Sequence, residues 1–140
     1  MELNECINYL LSISQNKVFK HFSKLLEEYD LTPAQYGVLN CLWRKGKMSP
    51  KQIGAMMHLE ASTVSGILDK MQKAGFIERS IDPENRRNIL VATTKKSKAI
   101  QQDVEATTEQ LNESVLQFLS DSDKVVLKKS LASIIQADFY

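Results

Sequence analysis

Two helix-start signatures seventeen residues apart, Thr32-Pro33-Ala34-Gln35 and Ser49-Pro50-Lys51-Gln52, constrain this chain more than any other feature. In each, a hydroxyl residue takes the N-cap, proline fills the first helical position, and glutamine three residues on reaches back to the cap. Gly46 marks the end of the first helix. The second helix is short, because His58-Leu59-Glu60 interrupts it before a third begins at Ala61. Gly54 lies inside that short helix, where glycine costs roughly 0.5–1 kcal/mol relative to alanine, so a neighbouring backbone, that of the third helix, is expected to pass close by.

The third helix, from Ala61 to about Ala74, separates its faces cleanly. Val64, Ile67, Leu68 and Met71 recur at core spacing, while Ser62, Gly66, Asp69 and Lys73, flanked by Thr63, Ser65 and Lys70, take the opposite side. Small hydroxyl and glycine residues at the N-terminal end let such a helix sit deep in a DNA major groove with its dipole toward phosphate. A plain solvent face of weak helix formers gives the same pattern, so the segments that follow decide. Gly75 closes the helix, and residues 76–81 and 88–93 read as two strands rich in β-branched residues. Between them Asp82-Pro83-Glu84-Asn85 is turn chemistry with Arg86-Arg87 at its exit, suited to a narrow, electronegative minor groove. The whole is the outline of a winged helix-turn-helix that reads DNA.

Charge distribution supports this where net charge does not. The formal balance is +1, but residues 31–95 hold ten Lys and Arg against five acids, whereas residues 1–30 hold three against five and residues 96–140 five against seven. The basic excess coincides with the helix-turn-helix.

Both ends are amphipathic helices. Leu3, Ile7, Leu10, Ile13, Val18, Phe22, Leu25, Leu26 and Tyr29 mark one long helix, and Ile100, Val104, Thr107, Leu111, Val115 and Phe118 a second. Ser120-Asp121-Ser122-Asp123 starts a last helix with the stripe Val126 or Leu127, Leu131, Ile134, Ile135 and Phe139. The central unit is too small to bury all of this surface, so a homodimer joined through the two ends is expected, the competing account being an intrachain helical layer on a monomer. The expected fold is mainly α with a small β-hairpin wing: residues 1–30 form an N-terminal dimerisation helix, 31–95 the DNA-binding unit, and 96–140 the C-terminal dimerisation helices.

Other classes find little support. Cys6 and Cys41 are too far apart to suggest a zinc site or a disulfide framework, and His21 and His58 lie far from both, so no metal and no cofactor is expected. The acidic N-terminus lacks a signal-peptide pattern and no apolar run is long enough to span a bilayer, so a cytoplasmic protein with no membrane partner is expected. No P-loop, G-x-S-x-G, H-E-x-x-H or dinucleotide fingerprint occurs, which argues against an enzyme. The stronger rival is a helical protein-interaction adaptor, whose partner binding would be insensitive to salt.

In this light the chain resembles the MarR family of bacterial transcriptional regulators (multiple antibiotic resistance regulators). The matching residues are Leu31-Thr32-Pro33-Ala34-Gln35-Tyr36 with Leu39 and Leu42, then Ser62-Thr63-Val64-Ser65 with Asp69, Lys70 and Met71, then Gly75-Phe76-Ile77-Glu78-Arg79, Asp82-Pro83-Glu84-Asn85-Arg86-Arg87 and Thr94-Lys95-Lys96-Ser97-Lys98-Ala99-Ile100. The resemblance implies a dimeric repressor on inverted-repeat promoter DNA, released by a small phenolic or other aromatic effector or, in some branches, by oxidation. Three departures stand out: Gly66 where a basic or larger polar residue is frequent, Asn85 where an acid commonly orients the wing arginine, and Ser97 in place of glycine, where it could serve as an N-cap.

The expected roles follow. Ser62, Thr63 and Ser65 approach base edges beside Gly66, and Lys47, Lys51, Lys70 and Lys73 address phosphates. Ser49, Gln52 and Asn85 complete the DNA-facing set, and Arg86 and Arg87 enter the minor groove. His21, Tyr29, Tyr36 and Trp43 are candidates to line an effector pocket where the central unit meets the long helices. Cys6 is the candidate for an alternative redox sensor, although it stands about two residues farther from Leu31 than the reactive cysteine of peroxide-sensing relatives, roughly 200° around a helix. No Lys, Arg or His stands close to it in sequence to activate the thiol.

Overall fold

The computed structural model describes residues 1–140. The N-terminal apolar stripe forms α1 (Ile7–Leu26), but not the single helix expected from Leu3 to about Tyr29. A separate 3₁₀ turn, Leu3–Glu5, precedes it, with the Glu2 amide donating to the Glu5 carboxylate at 2.9 Å, and Cys6 is extended between the two. At the other end a 3₁₀ turn, Glu27–Tyr29, leads to Asp30 in the left-handed conformation (φ 56°), which swings the chain toward the next helix.

Both capping boxes form as expected. The Thr32 hydroxyl accepts from the Gln35 amide at 3.2 Å and the Gln35 side chain accepts from the Thr32 amide at 3.1 Å, starting α2 (Pro33–Lys45). Ser49 and Gln52 do the same at 3.2 and 2.9 Å, starting α3 (Pro50–Met57). A left-handed His58 then turns the chain into α4 (Ala61–Lys73). At Gly54 a Cβ would meet the Leu59 carbonyl oxygen at 3.0 Å and a Val64 methyl at 3.4 Å. The close backbone is therefore that of the turn, and α4 supplies a side chain rather than its own main chain.

Strands β1 (Ile77–Ile81) and β2 (Ile89–Thr93) pair antiparallel, with Ile77 opposite Thr93 and Ile81 opposite Ile89. Met48 bridges to Val91 through both backbone groups (3.2 and 2.7 Å), which fixes the loop before α3 against the hairpin root. The chain continues into α5 (Lys95–Leu116) and α6 (Asp121–Gln136). Ser97 is not the N-cap of α5. Thr94 takes that place, and Ser97, fully buried, is the third helical residue whose hydroxyl accepts from the Thr94 amide at 2.9 Å. The β-extended backbone at Thr94 sets the boundary three residues before the serine.

One apolar core joins Phe22 and Leu26 of α1, Val38, Leu39 and Leu42 of α2, Ile53 of α3, Val64, Leu68 and Met71 of α4, the hairpin residues Ile77 and Val91, and Val104 and Leu111 of α5. Burial of each large side chain here contributes about 1.5–3 kcal/mol. The first half of α1 and all of α6 lie outside that core. Ile7, Leu10, Ile13 and Phe19 stand exposed, as do Val125, Val126, Leu127, Leu131, Ile134 and Ile135. No helix is long and apolar enough to cross a membrane.

Candidate nucleic-acid interface

Helix α4 turns its two faces as its sequence dictates. Val64, Leu68 and Met71 are buried and Ile67 is half-buried, whereas Ser62, Thr63, Ser65, Gly66, Asp69, Lys70 and Lys73 are all exposed. Glu60 occupies the N-cap without a side-chain cap bond, so the first-turn amides of α4 are left for an outside acceptor. An ideal Cβ on Gly66 would meet nothing within 4 Å. The helix surface is bare at this point, and a base edge could come right up to its backbone.

Four of the expected residues, Ser62, Thr63, Gly66 and Lys70, line one recess of about 310 Å³. Thr32 and Gln35 from the start of α2 line it too. Sequence reasoning did not bring these two beside α4 because their capping box was read only as a helix start. The box itself is the signal, since it places the amide-rich first turn of α2 beside α4.

On α3 the geometry is more restrictive. The Ser49 hydroxyl oxygen and the Gln52 carbonyl oxygen each accept one amide in the cap, while the hydroxyl proton and the carboxamide NH₂ stay free to donate to an outside group. Lys47 and Lys51 are exposed on either side of that cap.

The wing tip is a closed turn. The Asp82 carboxylate accepts from the Glu84 amide at 2.9 Å, and the Asn85 side-chain oxygen accepts from the Arg87 amide at 3.2 Å. Asn85 thus orders the backbone of the arginine through its carbonyl oxygen, with no acid required. Ion pairs in the chain join Arg44 with Glu105, Arg79 with Asp69, and Lys124 with Asp121. Lys47, Lys51, Lys70, Lys73, Arg86 and Arg87 therefore have no carboxylate within 4.0 Å, and their charge is available to phosphate.

Arg79 is a further residue of consequence. From β1 its Nε donates to the Gln72 side chain at 2.6 Å and its Nη2 to Asp69 at 2.8 Å, tying the hairpin to α4 and covering the one acid on the exposed face of that helix. No spacing rule links positions ten apart across a helix end, so periodicity alone could not reveal the pair.

The four effector candidates are scattered. His21 is exposed, the Tyr29 hydroxyl lies 3.3 Å from that of Thr107, and Tyr36 packs edge-on against Phe22 while its hydroxyl accepts from Asn40 at 3.1 Å. The Trp43 indole N–H is buried without a partner, and the ring borders a separate recess by Lys47 and Lys98. None of the four lines the largest apolar cavity, an open trough of about 870 Å³ between α1, α5 and α6. Cys6 is half-buried at the N-cap of α1, with no hydrogen bond to its sulfur; Cys41 is buried, and desolvation raises its thiol above the ordinary value of 9.0 despite an opposing backbone hydrogen bond. No group of three or more metal-binding side chains is gathered anywhere.

Comparison with known proteins gives this arrangement its context. Residues 31–89 match the model of the MarR family. The chain is 29% identical over 133 residues to the HTH-type transcriptional regulator SarZ of Staphylococcus saprophyticus, covering 94% of this chain and 88% of that one. Among solved structures it is similar to CouR from Rhodococcus jostii RHA1 bound to p-coumaroyl-CoA (25% identity, TM-score 0.86, covering 100% of this chain and 99% of that one). Bordetella bronchiseptica BpsR, described in terms of regulation of its DNA binding by 6-hydroxynicotinic acid, shares the fold (24% identity, TM-score 0.92, 99% of each chain). A helix-turn-helix with a free basic surface, a hairpin wing and flanking long helices thus coincides with the match to the MarR family model, and the chain is similar over nearly its whole length to transcriptional regulators with a winged helix-turn-helix.

Proposed function

We propose that the chain is a homodimeric repressor of the cytoplasm that binds an inverted repeat in promoter DNA. The observation that carries the DNA-contact assignment is the recess where Ser62, Thr63, Gly66 and Lys70 of α4 stand beside Thr32 and Gln35, open to the outside. In this reading Ser62, Thr63 and Ser65 approach base edges, Lys47, Lys51, Lys70 and Lys73 neutralise phosphates with Ser49 and Gln52 as flanking donors, and Arg86 and Arg87, on the turn ordered by Asn85, enter the minor groove. Two chains are needed because the apolar faces of α1 and α6 have no cover of their own, and a two-fold axis through them sets two reading helices on successive half-sites. Occupancy of a promoter by such a dimer excludes the transcription machinery.

Release by a small molecule is the regulatory half of the reading. Its support is the trough lined by Leu11, Val18 and Phe22 of α1, Leu111 and Val115 of α5 and Leu131 of α6, which a partner chain would roof over. An aromatic group fits such walls, and the ligands named for CouR and BpsR each carry an aromatic ring. The deciding experiment is selection of bound duplexes from genomic fragments, followed by titration of the complex with salt and with aromatic acids. An inverted repeat whose affinity falls steeply with salt is the expected result; binding indifferent to both sequence and salt would sink the assignment.

A further inference from the structure

Lys96 sits in the first turn of α5, where a cation opposes the helix dipole. Its side chain does not stay there. The ammonium donates to the carbonyl of Ala74, the C-cap of α4, at 2.7 Å and lies 4.5 Å from the centre of the buried Phe76 ring. Its stem runs along Gly75, with Cδ 3.7 Å from the point a Cβ would occupy. One residue past Ala74, the Gly75 carbonyl accepts from the Thr94 hydroxyl at 2.6 Å. Two successive carbonyls at the open end of α4 are therefore capped by residues from the start of α5, where the positive charge is electrostatically favoured. Lys95 and Lys98, its neighbours in the same turn, make no such bond and no ion pair. Thr94 and Ser97 meanwhile hold each other in the α5 cap, so the end of α4 and the start of α5 form one joint across the intervening hairpin.

We propose that Lys96 is a positioning residue for DNA reading: without touching DNA, it fixes the axis of α4 to α5 through the Ala74 carbonyl and the Phe76 ring. The proposal rests on α4 being the element that reads bases. A helix free to rock about its C-terminal end loses the alignment of Ser62, Thr63 and Ser65 with base edges, while phosphate contacts, being less directional, survive. Loss of Lys96 therefore acts on discrimination rather than on general affinity for DNA.

The test uses the full-length chain and two duplexes, one selected from a random library by the wild-type protein and one of scrambled sequence with the same composition. Lys96→Met is expected to weaken binding to the selected duplex about tenfold, leave the scrambled duplex and the salt slope unchanged, and be largely rescued by Lys96→Arg. Lys70→Ala, the control for a direct phosphate contact, lowers the slope by about 1 on both duplexes. Equal loss on both duplexes with a lowered slope for Lys96→Met, or no loss on the selected one, would overturn the proposal. If that variant fails to fold, Thr94→Val, which removes the bond to Gly75 without changing charge, carries the same test: a selective loss supports the joint and unaltered selectivity overturns it. Failure of the wild-type chain to select any duplex would overturn the DNA reading itself and this inference with it.

Discussion

The Arg79 guanidinium lies 2.8 Å from the Asp69 carboxylate, a pairing that ties β1 to α4 and cancels a negative charge on the face proposed to meet DNA. Both groups are partly open to solvent, so the pair contributes only about 0–1 kcal/mol to stability. Its larger effect is on binding. Arg79→Ala leaves Asp69 uncovered and is expected to reduce DNA affinity about tenfold with little change in melting temperature, and adding Asp69→Asn recovers part of the loss. Affinity measurements over the four proteins of this cycle check it; a double variant as weak as Arg79→Ala rules out the neutralising role.

At the wing, Arg86→Ala and Arg87→Ala should each lower the slope of log affinity against log salt by about 1, with stability changed by less than about 0.5 kcal/mol. Asn85→Ala should weaken binding without any lost contact of its own, because the Arg87 amide then has no side-chain acceptor. Asn85→Asp keeps that acceptor and should retain the turn. Fluorescence anisotropy at several salt concentrations separates the three effects.

Gly66 offers a test in which stability and function move apart. A methyl group there meets no protein atom, so Gly66→Ala should raise folding stability by roughly 0.5–1 kcal/mol through helix propensity. The same methyl occupies the surface assigned to bases and is expected to change affinity for a selected duplex. Paired denaturant melts and binding curves measure both, and unchanged binding would remove Gly66 from the interface.

For the proposed dimer, the solution mass should be twice the 15.9 kDa of the chain. Leu131→Asp with Ile134→Asp puts two charges on the uncovered face of α6 and should give monomers that bind DNA weakly. Light scattering at micromolar protein decides it, and a persistent dimer in that variant places the interface elsewhere.

Cys41 links stability to alkaline pH. Burial holds its thiol in the neutral form, so its folded pKa lies above that of the unfolded chain. Its contribution is fully present below the unfolded value and is lost as pH rises toward and through the folded value. Denaturant midpoints should therefore fall from neutral pH to about pH 10, and Cys41→Val should flatten that limb. A thiol reagent on the native protein should reach Cys6 before Cys41.

The capping boxes, the two faces of α4 and the hairpin were legible in the sequence because each is fixed by residues within one or two helical turns. Legibility fails where distant segments meet. Thr32 and Gln35 join the recess through the packing of α2 beside α4, Arg79 reaches Asp69 across a helix end, and Lys96 reaches Ala74 across the whole hairpin. None of these leaves a periodic trace. The break at Cys6 was missed for a different reason: the apolar spacing continues through it, while the Glu2 and Glu5 pairing that interrupts the helix uses polar residues the stripe ignores. The effector candidates do not converge on one cavity, because the Tyr29 hydroxyl, the Tyr36 ring and the Trp43 ring are each packed at a different place, while the trough is walled by leucine, valine and phenylalanine side chains.

Helix α6 has almost no cover from its own chain, and in the proposed dimer this has a consequence for dosage. A unit completed only by a second copy forms in proportion to the square of chain concentration while most chains are single. Halving the number of chains in that regime quarters the number of reading units. The promoter then responds to synthesis of its own regulator more steeply than to any protein that folds alone.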